Sequence, residues 1–213
     1  MEDKTKDHST RERLIEAAGK LFAEKGYKET TVREICELAD ANVAAVNYHF
    51  GDKLMLLREV VLHVIEEFKN VPLAELVAAE KTPEDKIFVF IRSLLKHRFG
   101  SGQPEWAGEF FGKQLMESPD FIQSQMSETV GRNFMILGGI ISEVLGPDAH
   151  EEKVRRTIFS VVGQFLVYFI MHTPLSPMPE GIRLYINDDN LDDFARHIAR
   201  FSMAGIKAVG ENE

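Results

Sequence analysis

The chain has 213 residues, of which 44% are hydrophobic and 28% are charged, a balance that excludes an intrinsically disordered protein. The single cysteine, Cys36, excludes an intrachain disulfide, and no Cys/His cluster has the spacing of a structural zinc site. The formal net charge of −9 is uneven: residues 1–58 carry 10 Lys and Arg against 11 Asp and Glu, which leaves −8 for the remainder. A nearly neutral N-terminal part still allows a local basic surface, so net charge alone does not exclude a nucleic-acid partner.

We expect a cytoplasmic protein. The polar N-terminus lacks the apolar core of a secretory signal. The most apolar stretch, 158–171, is interrupted by polar residues and is shorter than the roughly 20 residues that a membrane span needs. A lone cysteine fits a reducing compartment.

Hydrophobic residues recur with a period of 3.6 along nearly the whole chain, and no stretch alternates as a half-buried strand would. This pattern predicts an all-α protein of about nine helices. Capping boxes at Ser9-x-x-Glu12 and Thr31-x-x-Glu34 mark the first two helix starts, and Gly26 marks a helix end. A loop is expected at 173–190, which contains three prolines. The predicted helices span 9–25, 31–39, 43–48, 53–71, 83–99, a segment from about 104, 118–145, 149–172 and 191–209.

Residues 30–53 predict a helix-turn-helix, in which two short helices are joined by a tight turn at Asp40-Ala41 and the second helix enters the major groove. Its inward positions are apolar: Ile35, Ala39, Ala41 and Val46. The outward positions are small or polar, as reading base edges requires: Asn42, Val43, Ala44, Ala45, Asn47 and Tyr48. Asn pairs with adenine and the Ala and Val methyls pack on thymine. Tyr48, His49 and Lys53 follow where phosphates would run.

Several of these residues keep a second interpretation. Phe50 is better explained as a core aromatic, and Tyr48 could be one as well. His49 could be a surface or capping histidine. Cys36 lies on a short amphipathic helix, where burial explains it better than a redox role.

This region resembles the DNA-binding domain of the tetracycline-repressor (TetR) family of regulators. The resemblance rests on the pattern Leu14-x-x-Ala17-Ala18-x-x-Leu21-Phe22-x-x-x-Gly26-Tyr27, on Thr31-Val32-Arg33-x-Ile35 and on Asn47-Tyr48-His49-Phe50-Gly51-x-Lys53. Residues 42–50 more narrowly resemble the CecR-like subgroup. The resemblance implies that Arg33 reaches a base or phosphate and that Thr31 offers a phosphate site at a helix N-terminus. Family members usually have Gly in the turn where this chain has Asp40, which tolerates left-handed backbone.

The family pairs as homodimers through its last two long helices. The nearly all-apolar stretch 158–171, with Ser160 and Gly163 allowing close approach, fits a helix that packs on both its own core and a partner. A two-fold dimer would read a pseudo-palindromic operator.

The resemblance also implies a pocket for a small, largely apolar effector in the C-terminal part. Aromatic residues with a few polar groups could line it, although Phe and Met at helical spacing are usually core. The candidate ligand-binding residues are Trp106, Phe110, Phe111, Gln114, Phe134, Gln164, Tyr168 and His172.

We therefore predict a three-helix DNA-binding domain at 1–52 and a helical ligand-sensing and dimerisation domain at 53–213. The predicted function is a ligand-responsive DNA-binding regulator, a repressor released from its operator by the effector. The alternative is a DNA-binding architectural or interaction protein without a small-molecule ligand. No motif of an enzyme, a metal site or a cofactor site is found, so no catalytic residue, metal or cofactor is predicted.

Overall fold

Helices build every regular element in the described part of the chain, as the 3.6-residue period predicts. The computed structural model describes the backbone of residues 2–69, 72–100, 104, 106–110, 120–171, 179 and 184–211. Within these ranges no strand occurs, and no helix is long and apolar enough to cross a membrane. The helices are α1 (Glu2–Lys25), α2 (Val32–Leu38), α3 (Val43–Phe50), α4 (Lys53–Lys69), α5 (Leu73–Ala79), α6 (Pro83–Phe99), α7 (Asp120–Leu145), α8 (Glu151–Met171) and α9 (Leu191–Gly210). Residues 107–110 form a further short helical segment.

Two helices differ from the prediction. Helix α1 begins at Glu2 rather than at Ser9, because the residues before Ser9 contain no Gly or Pro and an acidic start favours a helix N-terminus. Helix α5 was not predicted. Its seven residues span only two turns, which is too short for the 3.6-residue period to be recognised.

The chain divides into two compact units. The first comprises Met1–Glu67 with Pro104–Met126 and the second Phe68–Gln103 with Ser127–Glu213. In the first unit, α1, α2 and α3 pack pairwise around a shared core. The predicted inward face of α1 is confirmed, since its members are all buried: Leu14, Ala17, Ala18, Leu21 and Phe22.

Segment 104–110 adds an aromatic contact to this first unit. Trp106 is buried and its ring meets Phe110 edge-on, with 5.8 Å between the ring centroids. A Cβ atom added to Gly19 of α1 would overlap the far edge of the Trp106 ring. Glycine at position 19 therefore lets an indole ring pack directly on the helix backbone.

The second unit has its own core, in which α6 packs mainly against α9. Helix α9 buries a stripe that includes Leu191, Ala195, Ile198 and Ser202. Phe201 was expected on this same face but lies on the opposite one, where it is 65% exposed. The stripe instead continues through Ile206, because positions 198, 202 and 206 are each one turn apart.

Candidate nucleic-acid interface

The turn between α2 and α3 holds the two helices at a fixed angle. The Ala41 N–H donates to the Cys36 carbonyl over 2.9 Å, and Asp40 adopts a left-handed conformation with φ of 49°. This confirms the predicted turn at Asp40, since a short polar side chain tolerates the left-handed region. Burial raises the pKa of the Cys36 thiol, which fits the core role rather than a redox role.

Asn42 begins helix α3 as its N-cap. The Asn42 Oδ1 atom accepts a hydrogen bond from the Ala44 N–H at 2.8 Å, which satisfies one of the donors left free at a helix start. The side chain that was predicted to read a base is thus used within the protein in this DNA-free structure. Its exposure leaves it at the outer edge of α3.

Helix α3 presents one buried and one exposed face. Val46 and Phe50 are buried, so Phe50 has the core role that its alternative interpretation gave it. The exposed face carries Asn47 and Tyr48, and Tyr48 is 77% exposed. The remaining candidates divide as follows: Val43 and Ala44 are exposed, while Ala45 and His49 are half-buried.

The start of α2 is held by the predicted capping box. The Thr31 Oγ1 atom accepts from the Glu34 N–H, and the Glu34 carboxylate accepts from the Thr31 N–H at 2.8 Å. Lys25 of α1 donates to the same carboxylate at 2.8 Å. The Lys25 hydrogen bond, followed by those from the Thr31 backbone and hydroxyl, lowers the pKa of Glu34 from 4.5 to about 2. Arg33 lies exposed in this same first turn and pairs with Glu37.

The replacement Glu34→Gln is expected to make the free energy of unfolding depend less steeply on pH in the acid range. Since the folded-state pKa of Glu34 lies below its ordinary value, its ionised form stabilises the protein above pH 4.5, and this contribution is lost as pH falls towards 2. Urea-denaturation midpoints measured from about pH 5 down to pH 2 test this. Glu37→Gln, which removes a charge from the same helix but leaves the cap, is the control. If the urea midpoint of Glu34→Gln fell with pH as steeply as that of the wild-type protein, Glu34 would not have the lowered pKa assigned to it.

Lys53 ties the loop before α2 to the start of α4. Its ammonium donates to the Tyr27 carbonyl at 2.8 Å and the Thr30 carbonyl at 2.7 Å, and it lies 4.3 Å from the centre of the Tyr27 ring. The buried Thr30 hydroxyl donates to the Gly26 carbonyl at 2.8 Å. Two of the three ammonium protons are therefore used inside the protein. The sequence predicted a phosphate contact for Lys53 and did not reveal this clamp, although Tyr27 and Lys53 both belong to the residues on which the family resemblance rests.

The predicted ligand-binding residues that the structure describes are divided between the two compact units. Trp106 and Phe110 belong to the first compact unit. Phe134, Gln164 and Tyr168 belong to the second, where each has a different neighbour: Phe159 for Phe134, Ser202 for Gln164 and Phe194 for Tyr168. The predicted residues Phe111, Gln114 and His172 lie outside the described residues.

Three of the surface cavities formed by described residues are lined by other side chains. One, of about 660 Å³, lies on the first unit beside α1 and the end of α2. The second unit has one of about 440 Å³ between α6 and α9 and one of about 170 Å³ among α5, α6 and α7. Sequence reasoning missed the polar lining of the smallest cavity. The spacing of Ser93 and His97, one helical turn apart on α6, was the available signal.

Comparison with known proteins identifies both parts of the chain. The family model for bacterial regulatory proteins of the tetR family matches residues 14–60. The model for the C-terminal domain of the HTH-type transcriptional dual regulator CecR matches residues 83–206, more than half of the chain.

Among relatives, the probable HTH-type transcriptional regulator YttP of Bacillus subtilis is 30% identical over 96 residues. That match covers 45% of this chain and 46% of YttP, so the chain matches less than half the length of this relative.

Solved structures show the same fold at low identity. The TetR family transcriptional regulator PfmR from Thermus thermophilus superposes with a TM-score of 0.67 at 17% identity, covering 91% of this chain and 95% of its own. AibR, solved in complex with isovaleryl coenzyme A and operator DNA, gives a TM-score of 0.66 at 16% identity, covering 89% of this chain and 97% of its own. With its helix-turn-helix and both family-model matches, the chain belongs to the TetR family of bacterial regulators and has a CecR-type C-terminal domain.

Proposed function

We propose that this protein is a transcriptional repressor that binds a pseudo-palindromic operator as a homodimer and is released by a small-molecule effector. The observation that carries the proposal is the exposed face of α3. It stands out from a helix-turn-helix whose inner side is fully packed by Ile35 and Val46. A rigid helix with short polar and apolar side chains on its outer face is what reading a major groove requires.

The candidate residues take different roles in this proposal. Asn47 and Tyr48 read base edges, and the small side chains at 42–45 pack along the groove. Arg33, Thr31, His49 and Lys53 supply phosphate contacts, so they set the position of the domain on the duplex without reading sequence. For Lys53 the phosphate contact would use the third ammonium proton, which the two carbonyls leave available. The Thr31 N–H and hydroxyl both donate to Glu34 in this DNA-free structure, so a phosphate contact by Thr31 would replace one of these hydrogen bonds.

Release by an effector would follow from a shift in population. A ligand that binds the C-terminal domain more tightly in one conformation favours that conformation by its differential affinity alone. Family membership supports this part of the proposal, and AibR was solved with both a ligand and operator DNA. The division at residue 52 and the aromatic effector pocket remain predictions, as do the pocket residues named for it.

Dimerisation through α8 and α9 is supported by the side chains that these helices leave exposed. Phe159 is 61% and Phe201 65% exposed. Ser160 and Gly163 share the exposed side of α8 and leave room for a neighbouring helix. Gln164 of α8 donates to the Ser202 hydroxyl of α9 at 3.0 Å, which keeps the two helices together. Large exposed aromatic residues beside small ones are typical of a helix-packed interface.

Glutamate at both Phe159 and Phe201 is expected to dissociate the dimer. Two-fold symmetry doubles each change, so the dissociation constant of the dimer should rise by roughly 100-fold or more. Light scattering coupled to size-exclusion chromatography measures the mass directly. Leu76→Glu, at an exposed position of α5, is the control and should stay dimeric. A double variant that stays dimeric at the same concentrations would show that another surface forms the interface.

The function is tested with DNA from the intergenic region upstream of the gene that encodes this protein. Fluorescence anisotropy should show binding to one segment at least about 1000-fold tighter than to a shuffled sequence, with a steep dependence on salt. Equal affinity for both DNAs would overturn the repressor proposal and favour the architectural alternative.

A further inference from the structure

The smallest of the three cavities described above is a polar recess in the second compact unit. It has a volume of about 170 Å³ and lies where α5, α6 and α7 meet. Ser93 and His97 face it from α6, and Arg132 and Asn133 face it from α7. None of these residues was part of the aromatic pocket predicted from the sequence.

We propose that this cavity binds the carboxylate of a small organic acid, with Arg132 and Asn133 as the principal donors. The inference rests on the proposed function, because it identifies the chemical class of the effector. The residues that line this cavity all belong to the second compact unit, whereas Trp106 and Phe110 belong to the first.

Arg132 carries the argument for a negatively charged ligand. Its guanidinium forms no ion pair or hydrogen bond with the described side chains, and Arg132 is exposed at the cavity. A guanidinium offers donors in a planar fork that matches a carboxylate. Asn133 and Ser93, which likewise have no recorded side-chain hydrogen bond in the described structure, add an amide N–H and a hydroxyl.

Glu75 is the one carboxylate among the cavity residues. It is exposed in the first turn of α5 and makes no ion pair with Arg132. Its charge opposes an anionic ligand, but in water-accessible surroundings this repulsion is weak compared with direct hydrogen bonds from a guanidinium. Glu75 therefore lowers the affinity for an acid without abolishing it.

The remaining lining and the volume limit the rest of the ligand. Leu73, Leu94 and Ile136 supply an apolar wall against which a short hydrocarbon part would pack. A volume of about 170 Å³ admits a small organic molecule. A compound such as butyrate or benzoate matches this size, whereas a nucleotide or a long acyl chain does not.

Isothermal titration calorimetry on the full-length protein tests the inference with butyrate and benzoate against the neutral butyramide and benzamide. We expect the acids to bind and the amides to bind at least about tenfold more weakly. Arg132→Gln should weaken acid binding by at least about tenfold, the loss of one charge-assisted hydrogen bond. Glu75→Gln should tighten it a few-fold. Arg155→Gln, which removes an exposed arginine from α8, is the matched control and should change nothing.

Absence of acid binding, equal binding of acids and amides, or an unchanged affinity in Arg132→Gln would each overturn the inference. DNA binding measured without any acid keeps this failure separate from failure of the proposed function. A protein that binds its operator but no acid disproves only the effector class. A protein that binds acids but no operator disproves the repressor.

Discussion

Alanine at both Asn47 and Tyr48 is expected to abolish sequence-specific operator binding while leaving the fold unchanged. Each well-placed base contact discriminates by roughly 1–3 kcal/mol, and a dimer loses it twice. The combined loss therefore exceeds about 100-fold in affinity for the operator. Affinity for shuffled DNA should fall much less, because the phosphate contacts proposed for Arg33 and His49 remain.

The folded state should tolerate both replacements because neither side chain is in the core. Tyr48 is 77% exposed and Asn47 is also exposed, so a change in the free energy of unfolding within about 0.5 kcal/mol is expected. Tyr185→Ala, which removes a tyrosine that is 58% exposed, is the matched control for DNA binding. Wild-type operator affinity in the double variant would show that α3 is not the recognition helix.

Alanine at Gly19 is expected to destabilise the first compact unit by about 1–3 kcal/mol. At an open position inside a helix, replacing glycine by alanine normally stabilises by up to about 1 kcal/mol. At position 19 the new Cβ would overlap the buried Trp106 ring, so the ring or the helix backbone would have to shift. The steric cost therefore outweighs the gain in helix propensity.

Chemical denaturation followed by far-ultraviolet circular dichroism measures this effect in every variant, including those that lack Trp106, the only tryptophan of the chain. Gly139→Ala is the control, since a Cβ at position 139 of α7 would meet nothing within 4 Å. In a Trp106→Ala background the Gly19→Ala replacement should no longer destabilise, which is the coupling that a double-mutant cycle detects. Equal costs of Gly19→Ala in both backgrounds would mean that the Trp106 ring is not the obstacle.

The helices and the DNA-binding motif were predictable because their signals are local. The capping box at Thr31, the turn at Asp40 and the alternation of buried Val46 with exposed Asn47 depend on residues within one or two turns. Helix α5 lacked such a signal because of its length. The start of α1 was misplaced because a capping pattern at Ser9 is compatible with the interior of a longer helix.

By itself, the amino-acid sequence determined the all-α class, the helix-turn-helix and the face of α3 that points outward, because helical period and capping act between neighbours in the chain. Only the tertiary structure decided that Lys53 clamps the carbonyls of Tyr27 and Thr30 and that Trp106 packs on Gly19. It also decided that Arg132 and Ser93 line the same polar cavity. These contacts join residues 23 to 87 positions apart, and such pairings depend on how helices pack, which no local pattern encodes.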